Sequence, residues 1–192
     1  MRFKLFFILT FCGMAVALGQ IKDEREQRIS NSAFPQNALG ELRPFLKDVR
    51  RLRFYKEQDG KKVSYECKFK KDRLQYSIEY DSLGQLEDLE FIITHNDIPE
   101  LSWTSISEYL EQNYNMRRIK KIQQQYPYQS GSSIALLKNA LQNLLSPNMN
   151  YEIVIVSKVE KGFVDYELLF TANGKFINAR RVLNSKYDHV LY

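Results

Sequence analysis

Between Tyr65 and Ile93 apolar and polar residues alternate in the two-residue rhythm of strands with one dry face. Tyr65, Cys67 and Phe69 share a phase against Glu66, Lys68 and Lys70; Leu74, Tyr76, Ile78 and Tyr80 share one against Gln75, Ser77, Glu79 and Asp81. Asp81-Ser82-Leu83-Gly84 reads as a turn whose glycine takes a positive φ. Leu86, Leu89, Phe91 and Ile93 make a third strand, whose alternation slips between 86 and 89 as a bulge would cause. A related pattern returns at Tyr151, Ile153 and Ile155, then Val164, Tyr166, Leu168 and Phe170, then Asn173-Gly174 and Phe176. Tyr76, Ile78, Tyr80 and Gly84 match Tyr166, Leu168, Phe170 and Gly174 at a constant offset of 90.

The flanking segments enlarge both copies. Pro35 suits a first helical turn, and Ala38, Leu39, Leu42, Phe45 and Leu46 recur at helical spacing, although Gly40 and Pro44 weaken that helix. Val49 to Phe54 reads as a strand, and Asp59-Gly60 as a hairpin turn leading into Val63. After an Asn96 to Pro99 linker, Ser105 and Glu108 form a capping box ahead of Ile106, Tyr109 and Leu110, with Trp103 stapling the entry. Ile119-Lys120-Lys121-Ile122 mirrors Val49-Arg50-Arg51-Leu52 at an offset of 70. The second copy is longer, and the excess falls between Pro127 and Pro147. There Ser132 or Ser133 caps a helix over about 132–145, with Ile134, Leu137, Leu141, Leu144 and Leu145 on one face and Leu136 off its centre. The expected fold is α+β: two antiparallel sheets of about four strands, each with a helix across one face, in tandem or joined as one extended sheet. Cys67 and Tyr76 belong to its buried phase; Lys68 and Gln75 to the exposed one.

The first 19 residues have the three parts of a secretory signal: Arg2 and Lys4, the apolar run Leu5 to Val16, and small residues at Ala17 and Gly19. The run is shorter than the ~20 residues a membrane span needs, so cleavage before Gln20 is expected. Phe11 is too bulky for Cys12 to serve as a lipoprotein site. Residues 20–34 are charged without an apolar period and read as a flexible leader. The expected units are therefore a signal peptide at 1–19, that leader, a first repeat at 35–98 and a second at 99–192. Losing the signal takes Lys+Arg from 28 to 26 against 23 acids, a net charge of +3. That is too mild for a dedicated nucleic-acid binder. Cys67 is then the lone cysteine, which excludes an intramolecular disulfide.

Tyr76 to Leu86 (YSIEYDSLGQL) and Tyr166 to Phe176 (YELLFTANGKF), each behind a helix, resemble the PepSY-like domains and the related fold of the beta-lactamase-inhibitor-protein family, in a style similar to secreted proteins of Bacteroidota. The resemblance covers most of the mature chain. It implies an envelope or secreted protein without catalysis, with protein binding or protease inhibition as its activity. It supplies no contact residue.

The chemistry in the chain agrees with a non-enzyme. His95 near Asp97, and His189 beside Asp188, lack a second ligand at helical or strand spacing and read as surface residues, so neither metal nor cofactor is expected. Ser130-Gly131-Ser132-Ser133 reads as helix capping before it reads as an anion site. Basic clusters at Arg50-Arg51-Arg53, Arg117-Arg118-Lys120-Lys121 and Arg180-Arg181 read first as solvated strand faces balanced by Glu66, Glu79, Glu87 and Glu90. The preferred expectation is a periplasmic or secreted module, with no membrane span after signal removal, that engages a protein partner and is inhibitor-like. Leu136, Arg117, Lys120 and Arg180 are its candidate contacts. The alternative is a carrier for an apolar or lipid-like envelope ligand, which would need an apolar pocket between helix and sheet.

Overall fold

The computed structural model describes residues 21–183. The signal segment at 1–19 and the histidine His189 lie outside them. Along the described chain run β1 (Ile21–Lys22), β2 (Glu24–Ile29), α1 (Gln36–Leu42), β3 (Arg50–Asp59), β4 (Lys62–Lys71), β5 (Leu74–Asp81), β6 (Leu86–Ile93), α2 (Glu100–Asn113), β7 (Arg117–Pro127), α3 (Ser133–Leu141), β8 (Asn150–Val159), β9 (Gly162–Thr171) and β10 (Phe176–Val182). All ten strands join one sheet in the order β1-β10-β9-β8-β7-β6-β5-β4-β3-β2. Neighbours are antiparallel except β1, which runs parallel to β10.

The two ends of that order, β1 and β2, are separated in the chain by Asp23 alone. The sheet is rolled until its edges nearly meet. Arg180 Nη1 on β10 lies 3.6 Å from Asp59 Oδ2 on β3, and the Asp23 amide donates to Asp59 Oδ1 at 3.0 Å. This corrects the expected pair of helix-plus-sheet units. The hairpins are where the alternation places them, but β6 pairs with β7 through Ile93↔Ile122, so all the strands share one near-barrel. Two separate sheets would have left β6 and β7 as open edges with unpaired backbone groups. The leader reading is corrected as well. Glu24–Ile29 is a strand on β3, and it has no apolar period because Ile29, which packs against the core, is its one apolar residue.

The apolar core lies on the face of the sheet that the helices cover. Phe34, Ala38 and Leu42 pack with Phe54, Cys67, Ile78 and Tyr80; Ile106 and Leu110 of α2 and Leu137 and Ala140 of α3 complete it. Cys67 and Tyr76 are buried as expected. The bulge expected near 86–89 is present at Glu87, between the pairs Tyr80↔Leu86 and Glu79↔Asp88.

Two hairpin glycines set the helices on the sheet. Gly84 (φ +73) leaves room for Asn37 of α1, whose Nδ2 donates to the Leu83 and Gly84 carbonyls at 3.0 and 3.1 Å. At Gly174 (φ +75) a Cβ would stand 2.3 Å from the Ser102 carbonyl oxygen of α2. Ser102 and Ser105 donate to the Ala172 and Gly174 carbonyls. Ser105 is therefore not the cap the sequence suggested. α2 begins right after Pro99, whose φ of −52° suits a helix start, and a capping box forms earlier, between Thr94 and Asp97. α3 stops at Leu141 because Asn143 takes a positive φ of 53°, so Leu144 and Leu145 fall beyond the helix and are exposed.

Candidate functional site

The polar phases of the strands, which read as solvated faces, instead line a cavity of about 740 Å³ within the rolled sheet. Glu57, Glu66, Gln123 and Glu152 of its wall are each at most 9% exposed. The register sets like charges directly opposite one another: Glu26↔Glu57, Glu66↔Glu79 and Glu79↔Asp88. Such pairs destabilise a sheet unless a proton or cation lies between them, and local conflicts of this kind gather at functional sites.

On the β2–β4 side that cation is Lys68. Its Nζ lies 3.0 Å from Glu26 Oε2, 2.7 Å from Glu66 Oε2 and 3.9 Å from Glu57 Oε1. Among the described residues, Glu26, Glu57 and Glu66 are the one acidic trio whose oxygens gather within 4.8 Å, as metal ligands would. The ammonium already sits among them. Burial opposes the Lys68 charge, but Glu66, Glu26 and Glu57 hold it above its usual range. Burial, and then the charge and hydrogen bond of Glu66, push Glu57 far above the carboxylate range. Burial also raises Glu66, but Lys68 and the hydrogen bond with Glu57 bring it below. Burial and mutual repulsion thus push the two carboxyls apart, Glu57 up and Glu66 down, and Ser77 Oγ donates to Glu66. At the seam burial again raises Glu24, but Lys22, 2.8 Å away, brings it down to about 2. Lys22 and Arg180 similarly hold Glu167 low against its burial.

The floor across β6, β7 and β8 is different. Glu90 accepts from Gln123 Nε2 at 2.7 Å and Gln125 Nε2 at 2.8 Å, and Gln125 Nε2 also reaches Asp88 Oδ2 at 3.0 Å. Asn150 fixes Gln125 from behind through a 3.1 Å bond to Oε1. Glu152 has Lys121 at 3.7 Å, and Lys121 and Lys22 act on Glu90, as Lys62 does on Asp88, in favour of the charged form. Burial first, then neighbouring carboxylates, hold Asp88 and Glu90 well above their ordinary range; Glu152 and Glu79 are raised by burial too.

The candidate contacts from the sequence do not form one surface. Leu136, on α3, is partly buried against the core. Arg117 donates to the Tyr114 carbonyl at 3.2 Å and faces Glu111 at 3.6 Å. Lys120 pairs with Asp165 at 2.7 Å, and Arg180 lines the cavity while bonding Glu167. His95 lies against Trp103, ring centroids 5.5 Å apart, and Ser132 Oγ caps α3 through Ala135 N. Glu57, Asp88, Gln123 and Glu152 were not singled out from the sequence. The signal was in reach: closing β4 onto β5 through Asp72-Arg73 sets Glu66 against Glu79 by counting alone.

No protein-family model matches the sequence, and no curated protein matches it. Solved structures do. A DUF2874 family protein of Bacteroides ovatus superposes with TM-score 0.52 at 11% identity, covering 77% of this chain and 86% of its own. Its likeness is one of fold. A second DUF2874 protein, from Bacteroides uniformis, gives 0.51 at 12% over 77% and 88%. A Bacteroides eggerthii protein described as periplasmic gives 0.50 at 9% over the same shares. The near-barrel with its few helices is thus the fold of Bacteroides proteins, while the two-copy PepSY-like arrangement is what the continuous sheet corrects. No described helix is long and apolar enough to cross a membrane.

Proposed function

We propose that this chain is a non-enzymatic binding module of the periplasm, and that what it binds is a small polar molecule received in the cavity of its sheet. The carrying observation is the cavity. Its volume of about 740 Å³ falls in the range of small-molecule sites, roughly 300–1,000 Å³, and charged and amide side chains line it. The fold shared with a periplasmic Bacteroides protein supports the compartment. An apolar or lipid-like cargo finds no support, since the space between helices and sheet is filled by the core. The test is equilibrium dialysis of the purified chain against a total low-molecular-mass cell extract, read by mass spectrometry. A polar solute retained by the native chain and lost in Ser77→Phe, which obstructs the cavity, is expected. No retention, or equal retention by both, sinks the reading.

A protein partner is the second reading, favoured by the exposed apolar residues on and just after α3: Ile134 (47%), Leu144 (49%) and Leu145 (60%). Exposed apolar side chains gathered at one segment mark interaction surfaces. Capture of one defined protein that is lost with Leu144→Lys/Leu145→Lys, while Ser77→Phe still captures it, would favour this reading over the cavity.

A further inference from the structure

Resting on the cavity reading, we infer that the floor formed by Asp88, Glu90, Glu152 and Gln123 receives the ammonium or guanidinium group of a small organic cation. The acids alone would not say so. The second observation is Gln123, 6% exposed, whose Oε1 has no hydrogen-bond partner. Its Nε2 is committed to Glu90, which fixes the direction of the amide and leaves the oxygen as a buried acceptor at the cavity wall. An unsatisfied buried acceptor is costly and points to a donor that is absent. Beside it, Glu90 is oriented by the amides of Gln123 and Gln125, which hold its carboxyl at the cavity wall next to that oxygen.

The chemistry of that donor follows from the spacing. Lys68 already fills the one acidic trio tight enough to ligate a metal ion. Asp88, Glu90 and Glu152 do not converge to that degree. A divalent ion needs several oxygens within about 2.0–2.6 Å of one centre. An ammonium or guanidinium instead spreads three to five N–H donors over separated acceptors. Carboxylates from β6 and β8 with an amide oxygen from β7 between them match that pattern.

Calorimetry and thermal-shift measurements on the mature chain would use three molecules of one length: cadaverine, 1,5-pentanediol and glutarate. Saturable one-site binding of cadaverine alone is expected, weakened tenfold or more by Glu90→Gln and by Gln123→Leu. Glu90→Gln keeps the size of the side chain and an oxygen for the Gln123 and Gln125 amides, so the native fold is expected and loss of binding would not reflect unfolding. Glutarate binding without cadaverine overturns the cation assignment and leaves the cavity reading standing. Cadaverine binding untouched by both variants places the amine elsewhere and also overturns it, as does Ca²⁺ binding where cadaverine has none. Binding of none of these, with no solute retained from extract, defeats inference and cavity reading together.

Discussion

Replacing Gly174 by alanine tests whether the hairpin really meets α2 at the backbone. Two penalties add. A non-glycine residue in left-handed backbone costs roughly 1–2 kcal/mol, and Gly174 sits at φ +75. The new Cβ would also stand 2.3 Å from the Ser102 carbonyl oxygen, an atom of the helix backbone that cannot rotate away. Forced overpacking of this kind costs typically about 1–3 kcal/mol. The sum is about 2–5 kcal/mol, which for a chain of this size lowers the melting temperature by on the order of 10 °C. Gly60→Ala is the control: φ is +59 and nothing lies within 4 Å, so only the backbone penalty applies. Gly84→Ala falls between, because its obstacle is the Asn37 side chain, and an Asn37→Ala background should return part of the loss. Urea unfolding followed by circular dichroism, with calorimetry as a second probe, gives the three differences. If Gly174→Ala costs no more than Gly60→Ala, the close approach of hairpin and helix is wrong.

Stability should fall as pH rises from about 5 to 8. Carboxyls held above their free value of 4.5, among them Glu57, Glu79, Glu90 and Glu152, stabilise the fold below that value and lose this as pH climbs through their folded pKa; Glu24, Glu66 and Glu167, held low, change only below it. Urea midpoints across that range check the sign, and a rising midpoint would refute the burial of these acids. Lys68→Met should cost about 3 kcal/mol at neutral pH by leaving Glu26 and Glu66 unpaired, and much less near pH 4, read by the same titration. Leu137→Ala, at a site with no exposure, should cost about 2–5 kcal/mol, whereas Leu136→Lys, at the margin, should cost clearly less; equal losses would place both in the core.

What the sequence made legible is the half of each strand that touches apolar matter. Cys67, Tyr76, Ile78 and Tyr80 alternate because they meet Phe34 and the helices, and the turns at Gly60, Gly84 and Gly174 announce themselves by needing positive φ. The other half was not legible. Alternation reports that Glu66, Glu79 and Glu90 avoid the apolar core, but open water and a polar cavity impose the same pattern. β2 was invisible for the same reason, since Ile29 is its one apolar residue and backbone pairing with β3 and ion pairs such as Glu26–Lys68 hold the rest. The end of α3 was missed because leucines at 144 and 145 continue a helical rhythm that Asn143 breaks.

The seam of the near-barrel also has a bearing on the order in which the fold can be made. Lys22 and Glu167 meet across 145 residues of sequence, and the segment carrying Lys22 is made before every other described strand. β2 has its partner as soon as β3 follows, but β1 must wait for β10. Contacts so distant along the chain form late, after loop-closure entropy has been overcome. The cavity would accordingly lack one wall until β10 is made and the waiting β1 pairs with it.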